Sequence, residues 1–546
     1  MSRLKLDGSK VLEFDLVRED RGCPECGGTM HVRCRRKRNI QTLEGPLRLN
    51  VKLVQCRQEC CDQRALFSPE QEQLYAMPRW GIGWDVFCWM GQRRFSRHWS
   101  VPQIRHELSD SYGIQLSEDA IEDHIALYQR MVAARHQDLQ VMRGAYRDSS
   151  DVVLTIDGLQ PEKGHETLYV VREVTRHRVW FAEPLLSGAT DEIRQLFVRA
   201  KQIAETLNLN VVLWISDKQD AFLKCVTNEF PDTPHRYCEN HFFRDLAKPV
   251  LEIDSTAKKK MRAKIRGLRA LEREVLQARK TDQADAGTAG SRPGQVEKTS
   301  RLSGEAGNVV LDYWSVVRGI LNDNHGGPYN PPGMRMLDAL ADVQQSLERI
   351  ASSTKVGPAF TLLHRLHGFI NRGVASQRQA FAQVRKYTEH VRQVMDLMNA
   401  VNGQRVADKE PRFTVKIDEF ERLPSDKVYS HFAKVMASFQ VGLFAGAEIA
   451  SSLHDNLDLE RWFRLPKSHE RRIHGHHHAG IRIVREGPTL IPTLDAHANH
   501  PGAFTRADLS PFEAANAPPS QLDSQQRHRI MRKSHSQKND ESCLKN

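Results

Sequence analysis

Between residues 151 and 250 the chain alternates between two hydrophobic periods. DVVLTID (151–157), ETLYVVREV (166–174) and RVWFAEPLL (178–186) are three consecutive strand-like runs. TDEIRQLFVRAKQIAETLNL then repeats apolar residues every three to four positions. This predicts an amphipathic helix with Thr190 as its N-cap. NVVLWISD (210–217) reads as a fourth strand, DAFLKCVTNEF as a second helix and RYC (236–238) as a short fifth strand. A further helix is expected to begin near His241. The segment is therefore an α/β domain.

The flanks have other textures. Residues 80–145 follow the helical period. Ser100 before Pro102 marks one helix start, Gly113 breaks it, and Ser117 ahead of Glu118 and Asp119 caps the next. Ile121, Ile125 and Tyr128 continue that second helix. Two helices across a short glycine turn fit either a helix-turn-helix or an ordinary helical hairpin. Residues 254–450 are helical with interruptions. The small, polar stretch 281–308 is expected to be a flexible loop, and NDNHGGPYNPPG (322–333) a turn-rich break. Helical patterning lapses near 400 and resumes near 426. From about 505 periodicity disappears, which predicts a disordered basic tail.

The chain has 546 residues, 40% hydrophobic and 27% charged. Single cores stop growing near ~250–300 residues, so two or more domains are expected. No run approaches the ~18–20 apolar residues of a membrane span, and the N-terminus lacks a signal-type apolar core. A soluble, cytoplasmic, nucleoid-associated protein with no membrane partner is expected. Lys and Arg number 79 against 68 acids, a formal charge of +11. That excess favours a polyanionic partner without choosing among DNA, RNA and acidic lipid.

Six of the ten cysteines fall between Cys23 and Cys61. In a reducing compartment such a cluster points to metal rather than disulfides. Cys23-Pro-Glu-Cys26 leads to a second pair at Cys56 and Cys61, with Cys60 an alternative fourth ligand and Cys34 a spare thiol. Zn²⁺ takes four such sulfurs tetrahedrally. Between the pairs LRLNVKLVQ alternates like a strand, so residues 1–75 read as a zinc ribbon. Arg33, Arg35, Arg36, Lys37 and Arg38 lie on it as candidate phosphate contacts.

Two strands end in an acid, Asp157 and Asp217. If these strands are parallel neighbours, both carboxylates emerge together beyond the sheet, where ligands bind in open α/β folds. Paired carboxylates suit Mg²⁺, and two such ions can clamp an in-line phosphoryl transfer. Read singly, Asp157 before Gly158 is a turn residue and Asp217 a helix N-cap. Glu460 is the candidate third acid, with Glu448, Asp455 and Asp458 as competitors. On one helix Glu460, Arg464, Lys467 and Arg471 would share a face, although Pro466 would kink or end it. Trp462 and Phe463 suit either stacking on DNA or packing on the sheet. His469, His474 and His476–His478 suit metal or a DNA-facing loop.

Three strands, helix, strand, helix, strand, helix is the order of an RNase H-like domain. Together with Asp157, Asp217, Cys238-Glu-Asn-His241, a long helical stretch and then Glu460, Lys467, Arg471, Arg472 and Gly475, the chain resembles a DDE transposase. It is similar to the bacterial insertion-sequence and Mutator-like group with a Cys-x-x-His signature. The resemblance spans about residues 20–480. It implies an α/β plus α fold, an RNase H-like catalytic domain interrupted by a large helical insertion and preceded by a zinc ribbon and a helix-turn-helix. The expected divisions are 1–75, 80–145, 150–253, 254–450 (the insertion), 451–504 and 505–546. The resemblance also implies Asp157, Asp217 and Glu460 as metal-binding catalytic residues, using Mg²⁺ or Mn²⁺. Cys238, His241, Lys467 and Arg471 would support the site, and Arg464 would contact DNA. The implied partners are double-stranded DNA, as the element's terminal inverted repeats and as target, and a second copy of the chain.

Overall fold

The computed structural model describes residues 11–58, 61, 65–160, 166–265, 268–288, 305–352, 357–399, 406–423, 426–446, 448–449, 456–475 and 482–516. The chain forms two units, Met1–His235 with Asp455–Asn546, and Arg236–His454. The second unit thus begins earlier than residue 254, because the helix Glu239–Lys264 runs unbroken through that point.

The first unit opens with a small sheet of β1 (Leu12–Val17), β2 (Met30–Thr42) and β3 (Gly45–Cys56), ordered β1-β3-β2. Alternation gives it one apolar face, Leu16, Ile40, Leu47, Leu49 and Val51, and one polar face. Helices Trp84–Phe95, Val101–Tyr112 and Glu118–Gln137 follow. Ser100 and Gln103 form a reciprocal capping box at the second of these. Gly113 ends it at φ 65°, and the Ser117 side chain accepts from the Ala120 amide to start the third.

A five-stranded sheet comes next: β4 (Asp151–Leu159), β5 (Thr167–Glu173), β6 (Arg178–Leu185), β7 (Asn210–Ser216) and β8 (His235–Tyr237). Its order is β6-β5-β4-β7-β8. The first three strands are antiparallel neighbours, and β4 pairs in parallel with β7. Side chains of β4 divide by parity. Val152, Leu154 and Ile156 join the core under helix Thr190–Leu207, while Leu159 joins the core built by helices 84–95, 118–137 and Gly487–Asn499. The helix Thr190–Leu207 buries Ile193, Leu196, Phe197, Ala200, Ala204 and Leu207 on one stripe. Full burial of each large side chain contributes roughly 1.5–3 kcal/mol. Its N-cap is Ala189, not the expected Thr190, and the Glu192 carboxylate reaches back to the Ser187 amide instead.

The second unit is helical across Glu239–Lys264, Leu268–Thr288, Glu305–Asn322, Pro332–Ala351, Pro358–Ala375, Arg378–Met398, Val406–Arg422 and Lys427–Leu443. Phe242 meets Phe413 and Phe439 at its centre. Three expectations need correction. Residues 281–288 continue a helix, since the alanines there sustain it, and the remainder of the loop, 289–304, lies outside the described residues. Val406–Arg422 is an additional helix; Pro411 falls inside it and masks its period. Residues 505–516 are folded rather than disordered: Asp508 pairs with Arg135 at 2.9 Å and Leu509 is buried. The rest of the tail, 517–546, lies outside the described residues. No helix among the described residues is long and apolar enough to cross a membrane.

Candidate active site and metal centre

The parallel register decides where the two aspartates stand. Thr155 is opposite Ile215. Two residues further along each chain are Asp157, still within β4, and Asp217, the first residue after β7. Neither singly read role holds. Asp157-Gly158 is no turn, because β4 runs on to Leu159. The following helix, Asp220–Glu229, is capped at Gln219 and not at Asp217. By parity Asp157 shares the face of Thr155 and Leu159. Its Oδ1 accepts from the Gly158 amide at 2.7 Å.

Glycines shape the ground around the pair. A Cβ at Gly158 would fall 2.7 Å from Thr167 Cγ2 and 3.1 Å from the Tyr169 ring, and one at Gly188 would fall 2.7 Å from Gln219 Nε2 and 3.3 Å from the Tyr169 hydroxyl. Tyr169 therefore lies close against this end of the sheet. Burial raises its phenol pKa, and the negative charges of Asp217, Asp157 and Glu192 raise it further, while a hydrogen bond with Gln219 works the other way. Beside Asp217, the buried Ser216 hydroxyl donates to the Asp217 carbonyl at 2.8 Å and meets His235 Nε2 at 2.7 Å.

Glu460 stands on the short helix Leu457–Trp462. Asn456, which is 2% exposed, precedes the helix. Its Oδ1 accepts from the Thr155 hydroxyl, and its Nδ2 donates to the Ile156 carbonyl at 3.4 Å. Arg172 on β5, opposite Thr155 in register, donates to Asp458 at 2.9 Å and to Asp495 at 2.8 Å, and its guanidinium lies 5.5 Å from the Trp462 ring. The helix is thus tied down on both sides of Glu460. Asp458, a competitor for the third acid, is committed to Arg172 and to His177 at 3.2 Å. Glu448 belongs to the other unit, and Asp455 lies outside the described residues. The Glu460 amide bonds the Asn456 carbonyl, so Glu460 stands one turn, ~6 Å, from the anchor. Among the described residues the three carboxylates are not gathered into one tight ligand cluster.

The single helix expected through Arg471 is two. It breaks at Phe463 and resumes as Arg464–His474, with Pro466 in the new first turn, where its missing N–H costs nothing. Pro466, His469, Glu470 and Ile473 face inward, while Arg464 and Arg471 are exposed and Lys467 is half-buried. Phe463 is buried and Trp462 packs beside the same core. His469 is fully buried with its Nδ1 2.9 Å from that of His98, and so is not part of an exposed loop. His476–His478 lie outside the described residues. Cys238 and His241 belong to the second unit, where Cys238 is buried at the N-cap of Glu239–Lys264 and His241 sits in its first turn.

The ribbon gathers four thiols. The sulfurs of Cys23, Cys26, Cys56 and Cys61 lie within 4.8 Å of one another, with 3.7 Å between Cys23 and Cys61 and between Cys26 and Cys56. Sulfurs on a tetrahedral zinc at ~2.3 Å would stand ~3.8 Å apart, so the donor set fits Zn²⁺. Gly27, at φ 69°, lets the first turn fold back so that its amide bonds the Cys23 carbonyl. The amides of Cys26 and then Glu25 hydrogen-bond the Cys23 sulfur and lower its pKa to about 7. Cys61 completes the group among the described residues, and Cys60 lies outside them; Cys34 is exposed on β2. Of the basic run, Arg33, Arg35, Arg36 and Lys37 are exposed. Arg38 is turned inward to the buried Glu72, at 2.8 Å, and to the Trp80 carbonyl, which commits it to the fold; Arg36 also pairs with Glu72.

No family model matches the chain, and no curated protein matches it. One solved structure to which it is similar is the Drosophila P element transposase strand transfer complex. Identity is 9%, covering 76% of this chain and 91% of that chain, with a TM-score of 0.32. A likeness of that size carries no functional argument, so function rests on the site's own geometry.

Proposed function

We propose that this chain is a DDE-type transposase of a bacterial insertion element, acting on the element's double-stranded ends and on target DNA. The observation that supports the reading is the parallel β4–β7 pairing up to Thr155 and Ile215, two residues short of Asp157 and Asp217, together with the bond from Thr155 to Asn456 at the start of the Glu460 helix. The strand order is the one an RNase H-like domain requires. Asp157 and Asp217 would hold Mg²⁺ or Mn²⁺, with Glu460 as the third donor. When bound, that metal supplies positive charge to the phosphoryl oxygens in an in-line displacement. The chain's own work is positioning. Arg172 and Asn456 hold the third acid over the strand, and exposed Arg464 and Arg471 take neighbouring phosphates. The zinc ribbon presents Arg33, Arg35, Arg36 and Lys37 to DNA, and helices 101–112 and 118–137 form the helix-turn-helix. Cys238 and His241 support the start of the long helix. The working form on DNA is at least a dimer, in the cytoplasm.

The test uses the full chain, Mg²⁺ and a labelled element end. Asp157→Asn and Asp217→Asn should each abolish cleavage and joining while DNA binding persists. Wild-type activity in either variant would refute the reading, and hydrolysis without joining would redefine the protein as a nuclease.

A further inference from the structure

The first unit also holds a cavity of about 360 Å³, far in sequence from the aspartate pair. Four arginines line it, Arg94, Arg130, Arg482 and Arg485, against two glutamates, Glu122 and Glu486. Arg94 is 3% exposed. Its Nη1 donates to the Trp99 carbonyl at 3.0 Å, but its Nε is buried with no partner among the described residues. Burial, and next the charge of Arg482, lower Arg94 to about 10. A guanidinium is thus held in a place that disfavours it, and an anion would relieve that cost. The nearby buried acid, Glu470, is itself raised to about 7 by burial, so it is only partly ionised at neutral pH and serves poorly as the counter-ion.

The cavity also lies at the N-terminus of the helix Gly487–Asn499, whose cap Glu486 and third residue Thr489 are among its walls. Helix N-termini carry partial positive charge. Glu486 binds Arg482 at 2.9 Å and Arg485 at 3.2 Å, which fixes these two guanidinium groups at the mouth. Arg130 and the unpartnered Nε of Arg94 leave an excess of positive charge. Arginine forks match the oxygens of phosphate better than any other cation. We infer that this cavity is a phosphate-binding site, taking the oxygens of a phosphate mono- or diester on Arg94 and Arg130 at the helix N-terminus. It does not depend on Asp157 and Asp217 being catalytic. The phosphate can come from a small molecule or from a DNA backbone.

The test separates those sources in the full-length protein. Inorganic phosphate is titrated against sodium chloride at matched ionic strength, and duplex DNA binding is measured across salt concentrations. Arg94→Gln, Arg130→Gln and Arg485→Gln are compared with wild type. Should Arg94→Gln fail to fold, the two more exposed variants keep the test decisive. Saturable phosphate binding, weakened roughly tenfold in Arg130→Gln, supports the site and a free phosphate source. Silence toward free phosphate, with the salt slope of duplex binding reduced by ~0.9 per arginine removed, supports the site and a DNA source. No phosphate binding together with an unchanged slope overturns the inference.

Discussion

Arg172 joins three parts of the first unit, and its removal has a magnitude that can be worked out. It is 4% exposed, and its two carboxylate partners differ. Asp495 is fully buried and also accepts from the Val179 amide at 2.8 Å and lies 3.3 Å from His136 Nε2. Asp458 is about one-third exposed. Arg172→Met keeps the apolar stem but strands Asp495. Removing one partner of a buried ion pair costs about 3–5 kcal/mol. Loss of the bond to Asp458 adds no more than ~1 kcal/mol, because water can replace it. Against a typical total of about 5–15 kcal/mol this is a large fraction. The chain has two units and cannot be assumed to unfold in one step, so a local probe is appropriate. The Val179 amide donates to Asp495, and its hydrogen exchange reads the site directly. Arg172→Met should speed that exchange by on the order of a hundredfold or more. The double variant Arg172→Met with Asp495→Asn should recover part of the protection, since no stranded charge remains. Arg172→Lys should fall between, because an ammonium cannot bridge both carboxylates. Exchange altered less than about fivefold, or a double variant no better than the single, would refute the reasoning.

Three further outcomes follow. Chelating zinc, or Cys23→Ser, should unfold the ribbon around β1–β3 while leaving the five-stranded sheet intact, checked by amide spectra; unchanged ribbon signals would remove the metal from that site. Acid should destabilise the first unit. Burial lowers His235 from 6.5 to about 4, and burial, then His500, lowers His497 to about 3, so the unfolded chain binds more protons below pH 6.5. The stability each neutral imidazole contributes is whole above pH 6.5 and falls with pH, by on the order of 3 kcal/mol each at pH 4; His235→Gln should flatten that slope. Thr155→Val removes one of the bonds that hold the Glu460 helix, so on the proposed function strand transfer should drop, and wild-type turnover would count against the anchor.

Much of this was legible because it depends on local pattern. The caps at Ser100 and Ser117, the turn at Gly113 and the apolar strands ending in Asp157 and Asp217 are all short-range signals. So was the cysteine spacing. What the sequence hid is long-range or masked. Thr190 looked like a cap, but the backbone entered the helix one residue sooner. Pro411 concealed a helix that runs through it, with one backbone hydrogen bond forgone. The segment 505–516 lacks a period because its folding depends on Arg135 and the Glu118–Gln137 helix, not on its own amphipathicity. Asn456 and Arg172 act on partners some three hundred residues away, which no local period reveals. Arg172 did leave a trace: it is a lone cation inside Val170-Val171-Arg172-Glu173-Val174, and a charge in an apolar strand calls for a partner.

In the proposed function Asp157 and Asp217 share a divalent cation. The most direct measurement is a metal-specificity exchange at Asp217. Asp217→Cys replaces a hard oxygen with a thiolate, which disfavours Mg²⁺ and tolerates Mn²⁺. This variant should join DNA ends poorly in Mg²⁺ and regain activity in Mn²⁺, whereas Asp217→Ala should stay inactive in both. Equal activity of Asp217→Cys and wild type in Mg²⁺ would contradict it.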